Sequence, residues 1–196
     1  MVAHSMGGLA TLKFAERNLH SGLVLITPVL PRECSPAPIE LVFDPANLWG
    51  PPPLELAKLL FFTAATEADA RRYHSLLVPE SARAVEQAVT DKRASMDAVK
   101  ISGPTLVVAA EKDILCPPEE VWRLANLLGA DYQYAFGLGH GVMMAEDWQH
   151  IAQAIHRWLT VHIVPPTPPG EFFVANNPSM SADRLSRHIS SAAQRL

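Results

Sequence analysis

The sequence predicts an α/β fold in which a mostly parallel sheet is flanked by helices. Two short runs, 22–27 and 105–110, are apolar at nearly every position instead of alternating with polar residues. Such continuity is typical of strands that helices cover on both faces. Amphipathic helical patterns separate these runs, and an alternation of strands and helices indicates parallel pairing through right-handed crossovers.

The remaining core elements are predicted from local patterns. Pro117 and Pro118, followed by two acidic residues, predict the start of a helix, and Gly129 predicts its end. Proline suits the first helical turn, acids complement the helix dipole, and glycine readily adopts the left-handed conformation that follows a last turn. Strands are predicted at 1–3, 22–27, 105–110 and 132–136, and core helices at 6–17, 117–128 and 144–159.

About seventy residues separate the strands at 22–27 and 105–110, which is far more than a crossover needs. The segment begins with a proline-rich stretch and continues with helical patterns, so we expect an inserted helical cap. Within it, the apolar run Leu59–Phe62 suits either an acyl pocket or packing against the sheet. The predicted divisions are a core at 1–30 and 99–162, a cap at 31–98, and a proline-rich linker with a polar tail at 163–196.

The composition excludes several classes of protein. Sixteen Lys and Arg against 20 Asp and Glu give a net charge of −4, which argues against a nucleic-acid-binding protein. No run reaches the roughly 18 apolar residues of a membrane span, and Lys13, Glu16 and Arg17 interrupt any signal-peptide core. Cys34 and Cys116 form neither a disulfide framework nor a metal-ligand spacing. No pair of histidines or acids has a convincing metal-ligand spacing either, so no metal is expected. These features predict a soluble, cytoplasmic protein.

The first motif that carries chemistry lies at the very start of the chain. Ser5 stands between a predicted strand and a predicted helix, in Ala3-His4-Ser5-Met6-Gly7. The nucleophile elbow G-x-S-x-G places a serine on a sharp turn of this kind, with small neighbours because strand and helix approach closely. Ala3, which stands at the position of the first glycine of this pattern, is a mild departure from it. The alternative interpretation is a serine that caps the helix.

Two further residues lie where the same chemistry needs them. Asp113 follows the strand at 105–110, and catalytic groups collect at the carboxyl ends of parallel strands. His140 lies in a glycine-framed loop after the last predicted strand. Glu111 is an alternative acid, although its side chain should point away from that of its neighbours. His4 is more readily interpreted as a support for the elbow than as the base.

Three motifs together resemble the C-terminal two thirds of an α/β-hydrolase. They are A-H-S-M-G-G at 3–8, P-T-L-V-V-A-A-E-K-D at 104–113 and G-L-G-H-G at 137–141. Their order is the nucleophile, acid, base order of that fold. The resemblance covers about residues 1–160 and leaves the tail outside.

The resemblance implies a serine hydrolase of the esterase or lipase kind, acting on a small-molecule acyl substrate without a cofactor. Ser5 would attack the acyl carbonyl, His140 would transfer the proton, and Asp113 would hold the imidazole tautomer. The Met6 N–H would donate to the oxyanion. Serine in place of aspartate argues against a haloalkane dehalogenase. A cofactor-free haloperoxidase, a C–C hydrolase and an acyltransferase share these residues and stay open.

The same resemblance places further strands, and a loop with a second oxyanion donor, before the elbow. We therefore expect an N-terminally truncated form of a longer hydrolase. The alternative is an inactive remnant that acts by association. In that case the first strand, an unpaired edge, would pair with a second copy or with a partner.

Overall fold

The computed structural model describes residues 1–34, 44, 46–90 and 94–163. Its strands are β1 (Val2–His4), β2 (Leu23–Ile26), β3 (Leu48–Trp49), β4 (Glu80–Ser81), β5 (Thr105–Ala110) and β6 (Asp131–Ala135). Its α-helices are α1 (Met6–Ala15), α2 (Leu54–Leu60), α3 (Glu67–His74), α4 (Ala82–Val85), α5 (Pro118–Leu128) and α6 (Trp148–His162). The predicted tail at 163–196 lies outside the described residues from residue 164 onward.

The main sheet has four parallel strands in the order β1-β2-β5-β6. In its register Ala3 lies beside Leu25, which lies beside Val107, which lies beside Tyr132. The predicted fold class, a mostly parallel sheet flanked by helices, is confirmed. Among the described residues β1 pairs with β2 alone, so it forms one edge of the sheet, and association through this edge stays a prediction.

The continuous apolar runs are explained by helices on both faces of the sheet. All six residues of β5 are buried. Leu25 and Val107 pack on the face of α1 and α5, whereas Val24 and Val108 pack on the face of α6. Because successive side chains of a strand point to opposite faces, both sets must be apolar when both faces are covered.

Thr66 followed by Asp69 is a pattern that can cap a helix, and it predicts the start of α3. This start and the helix end predicted at Gly129 are both confirmed. The Thr66 side chain accepts the Asp69 N–H, which caps the start of α3. Gly129 has φ of 60° and ψ of 32° at the end of α5. This left-handed backbone favours glycine, since a side chain would be strained there.

Two predicted helices differ from the structure. The last helix begins at Trp148 instead of about residue 144, because 142–144 form one 3-10 turn and Ala145 is extended, with ψ of 154°. The residues from Glu80 to Val89 also have a helical pattern, which predicts one helix over that range. The observed helix is shorter, because residues 80–81 pair with β3 and 86–90 form a π-helical turn after α4. Paired residues cannot also belong to a helix, so α4 begins only at Ala82.

The described residues between β2 and β5 form the β3–β4 pair, α2, α3 and α4. Their function as a cap stays a prediction at this point. No helix within the described ranges is long and apolar enough to span a bilayer.

Candidate active site

Ser5 occupies the turn between β1 and α1 in a conformation that is rare for any residue except glycine. Its φ is 53° and its ψ is −127°. The Ser5 N–H still donates to the Ile26 carbonyl at 3.2 Å, and the Ser5 carbonyl accepts from Gly8 and Val29. Such backbone strain costs about 1–3 kcal/mol and persists where the surroundings over-determine it. The turn therefore projects the hydroxyl while both flanking elements hold the backbone.

The close approach expected of the elbow occurs at Gly8. A Cβ on Gly8 would lie 2.6 Å from the Pro28 Cβ, whereas a Cβ on Gly7 would meet no described atom within 4 Å. The contact joins the first turn of α1 to the segment after β2. Among the described residues, a side chain is therefore sterically excluded at Gly8 and not at Gly7.

Asp113 lies in the turn after β5 and is buried, with 3% of its surface exposed. One carboxylate oxygen, Oδ1, accepts the N–H groups of Leu115 and Cys116, each at 2.9 Å. The other, Oδ2, lies 2.8 Å from Nδ1 of His140. Two backbone donors thus orient the carboxylate toward the imidazole.

Glu111, the alternative acid, contacts a different group. Its Oε2 accepts the N–H of Gly137 at 2.7 Å, at the start of the histidine loop. The structure brings Asp113 to His140, and it uses Glu111 to hold the loop that carries His140.

His140 completes a continuous chain of hydrogen bonds. Its Nε2 lies 2.8 Å from the Ser5 Oγ, while Nδ1 faces Asp113. A carboxylate only accepts, so Nδ1 carries the proton and Nε2 accepts from the hydroxyl. The predicted nucleophile, base and acid, distant in the sequence, therefore lie in one hydrogen-bonded row.

The glycines around His140 are explained by the approach of the segment after α2. A Cβ on Gly139 would lie 2.8 Å from the Thr63 Cβ, and one on Gly141 would overlap the Phe61 carbonyl oxygen. The Gly141 N–H donates to that same oxygen at 3.0 Å. Within this loop a positive φ occurs only at Gly137, where it is 74°. Glycine at 139 and 141 therefore serves close packing.

His4, adjacent to the nucleophile, is partly buried, and its ring centre lies 4.9 Å from that of His140. Burial, and secondarily the nearby His140, lowers the pKa of His4 to about 4. His4 is therefore neutral at ordinary assay pH.

Two cavities, of about 200 and 160 Å³, meet at Ser5. Both are lined by Ser5, His140, Trp49, Phe61 and Glu80, and otherwise mainly by apolar side chains. The larger also contacts Phe62, Leu77 and Met144, and the smaller Met6, Leu30, Leu60, Val85 and Val89.

The cavities partly decide between the two interpretations of Leu59–Phe62, which were an acyl pocket and packing against the sheet. Leu60, Phe61 and Phe62 line a cavity wall, whereas Leu59 is 56% exposed and lines neither cavity. Trp49 and Glu80, which pair across β3 and β4, were missed in the sequence. Two-residue strands have no periodicity from which they could be found.

Among the described residues, one group has ligand atoms close enough to suit a metal ion. Asp113, Cys116 and His140 each offer one such atom, all within 4.8 Å of one another. The Asp113 and His140 atoms already face each other in a hydrogen bond, so this set overlaps the row described above.

No protein-family model and no curated protein matches the chain. Solved structures do. The monoacylglycerol lipase of Paleococcus ferrophilus has a TM-score of 0.58 at 24% identity, over 82% of this chain and 67% of that one. MenH from S. aureus has a TM-score of 0.55 at 20% identity, over 82% and 67%.

A serine hydrolase involved in carbazole degradation is also similar, with a TM-score of 0.57 at 18% identity, over 82% of this chain and 63% of that one. These likenesses show that the chain has the α/β-hydrolase fold, as the three motifs predict. The chain spans 59 to 67% of the length of such structures.

Proposed function

We propose that this chain is a serine hydrolase that cleaves a carboxylic ester through Ser5, His140 and Asp113. One observation carries the proposal: the unbroken row from the Ser5 Oγ to His140 to Asp113, with both links at 2.8 Å. The names of two similar structures, a monoacylglycerol lipase and a serine hydrolase, agree with this chemistry.

In the proposed reaction His140 transfers the proton at each step. Nε2 takes the Ser5 proton as Oγ attacks the acyl carbonyl, and it returns the proton to the departing alcohol. Water then repeats the sequence on the acyl-enzyme, which releases the acid and restores Ser5. Asp113 keeps the proton on Nδ1 and stabilises the imidazolium that forms.

The Met6 N–H is the proposed donor to the negatively charged oxygen of the intermediate. Met6 is the first residue of α1, and the first N–H groups of a helix have no carbonyl partner within it. The positive end of the helix dipole lies there as well. A single donor of this kind is worth about 3 kcal/mol, or roughly a hundredfold in rate.

The two cavities support an ester with an apolar group on each side of the carbonyl. Ser5 lines both, so an acyl group in one and an alcohol group in the other would place the ester at the hydroxyl. Trp49, Phe61 and Val85 all come from the segment predicted as a cap. We therefore propose that residues 31–98 cover the site.

The test is trapping of the acyl-enzyme. Mixing the protein with 4-nitrophenyl acetate to octanoate should release a burst of nitrophenol, with the acyl group found on Ser5 by peptide mass spectrometry. Ser5→Ala should abolish both. The matched control is Ser21→Ala, because Ser21 is exposed and precedes β2, at the opposite end of the strands. Hydrolysis that survives in Ser5→Ala, or a folded wild type that acylates nowhere, contradicts the proposal.

A further inference from the structure

The backbone carbonyl of His140 accepts hydrogen bonds from two side chains, one in β1 and one directly after β2. Nε2 of His4, the last residue of β1, lies 2.9 Å from this oxygen. Oγ1 of Thr27, which directly follows β2, lies 3.0 Å from it. Because a carbonyl oxygen only accepts, both side chains donate, and Nε2 is the protonated nitrogen of His4.

Thr27 is held in a strained conformation. Its φ is 39°, and it is fully buried. A positive φ is a genuine outlier for a β-branched residue, costs about 1–3 kcal/mol, and clusters at functional sites. The Thr27 N–H donates to the Val108 carbonyl at 2.8 Å, so β5 holds the backbone in place. The strain coincides with a hydroxyl directed at His140.

We propose that His4 and Thr27 are positioning residues for His140. The two donors, the carbonyl clamp, attach the backbone of His140 to β1 and β2, so that its Nε2 meets the Ser5 Oγ. This inference rests on the proposed function.

The clamp joins the base directly to the strand that carries the nucleophile. His4 and Ser5 are consecutive, so the His4–His140 bond and the Ser5–His140 bond close a small ring of contacts. Movement of the loop that carries His140 away from β1 would have to break both of these hydrogen bonds. A neutral His4 also places no positive charge beside the imidazolium that forms during reaction.

Paired substitutions separate the donor from the shape of each side chain. Thr27→Val removes the hydroxyl and keeps the branched shape, whereas Thr27→Ser keeps the hydroxyl. His4→Phe removes the donor, whereas His4→Gln keeps an N–H. A shift of 1 Å in a catalytic group can cost about a hundredfold in rate, so half that shift predicts roughly a tenfold loss.

We expect Thr27→Val and His4→Phe each to lower kcat for 4-nitrophenyl butyrate about tenfold at unchanged KM, with rescue by Thr27→Ser and His4→Gln. In the variant that combines Thr27→Val with His4→Phe, the fold-loss of kcat should exceed the product of the two single fold-losses, since either donor alone partly holds the carbonyl. His4 also lines the larger cavity, so a rise in KM alone would assign it to substrate contact and overturn the clamp.

A spectroscopic measurement tests the clamp without turnover. The low-field proton resonance between Nδ1 of His140 and Asp113 should broaden or vanish in Thr27→Val and persist in Thr27→Ser. If both donor-deleted variants keep the wild-type resonance and kcat, the clamp is refuted, even if they unfold at lower temperature. An inactive wild type that shows the expected resonance changes would instead contradict the proposed function and leave the clamp standing.

Discussion

Gly139→Ala tests how closely the histidine loop packs against the segment after α2. The added methyl would lie 2.8 Å from the Thr63 Cβ and 2.9 Å from its Oγ1. Ordinary contact of a Cβ begins at 3.4 Å, so the two segments must separate by about 0.6 Å. His140 is the next residue, and the shift therefore reaches the base.

The expected loss follows from that displacement. If 1 Å costs about a hundredfold, 0.6 Å predicts a fall in kcat of roughly tenfold, with KM little changed. Overpacking should also lower the free energy of unfolding by about 1–3 kcal/mol. The assay is hydrolysis of 4-nitrophenyl butyrate, with urea unfolding of the same preparations.

A second substitution tests whether the clash with Thr63 causes the loss of kcat in Gly139→Ala. Thr63→Gly removes the opposing atoms from an exposed residue, so alone it should leave kcat close to that of the wild type. Combined with Gly139→Ala, it should restore most of the lost activity. Gly139→Ala with wild-type kcat, or a folded double variant that regains nothing, would refute the reasoning.

Three further predictions are tested by the same two assays, ester hydrolysis and urea unfolding. Asp113→Asn should lower kcat about 10⁴-fold, because an amide no longer selects the His140 tautomer with its proton on Nδ1. Glu111→Gln, whose oxygen can still accept from Gly137, should keep kcat near the wild-type value. Equal losses of kcat in the two variants would contradict the assignment of Asp113 as the acid. For His4, whose pKa falls from 6.5 to about 4 on folding, the unfolded chain takes up a proton first as the pH falls. The free energy of unfolding, measured in urea titrations, should therefore drop by about 2 kcal/mol between pH 7 and pH 5 because of His4. His4→Gln should remove that part of the drop, and a variant with the same pH dependence as the wild type would contradict the lowered pKa of His4. Leu25→Ala, at a fully buried position of β2, should cost about 2–5 kcal/mol by the same titrations, and a cost below about 1 kcal/mol would contradict the two-sided core.

The parts of the fold that the sequence predicts are those whose causes are local. The runs at 22–27 and 105–110 are apolar because both faces of each strand are covered, so continuity alone identifies β2 and β5. Thr66 and Gly129 mark helix ends through their own side chain or backbone. The rule that catalytic groups collect at the carboxyl ends of parallel strands predicts that Ser5, Asp113 and His140 lie close together. Their order as nucleophile, acid and base comes from the resemblance to α/β-hydrolases.

The parts that the sequence does not predict depend on distant contacts. Thr27 looks like an ordinary strand residue, and its positive φ arises from the surrounding strands and loop. The glycines at 139 and 141 suggest freedom of the loop, whereas the structure explains them by the closeness of Phe61 and Thr63. Trp49 reaches the site through a two-residue strand, which has no pattern of its own.

Fluorophosphonate labelling with peptide mapping tests the joint action of Ser5, His140 and Asp113 most directly. The account predicts one phosphonylated residue, Ser5, with labelling abolished in Ser5→Ala and slowed by orders of magnitude in folded His140→Ala. Labelling of a different residue, or of Ser5 at the wild-type rate in His140→Ala, would contradict it.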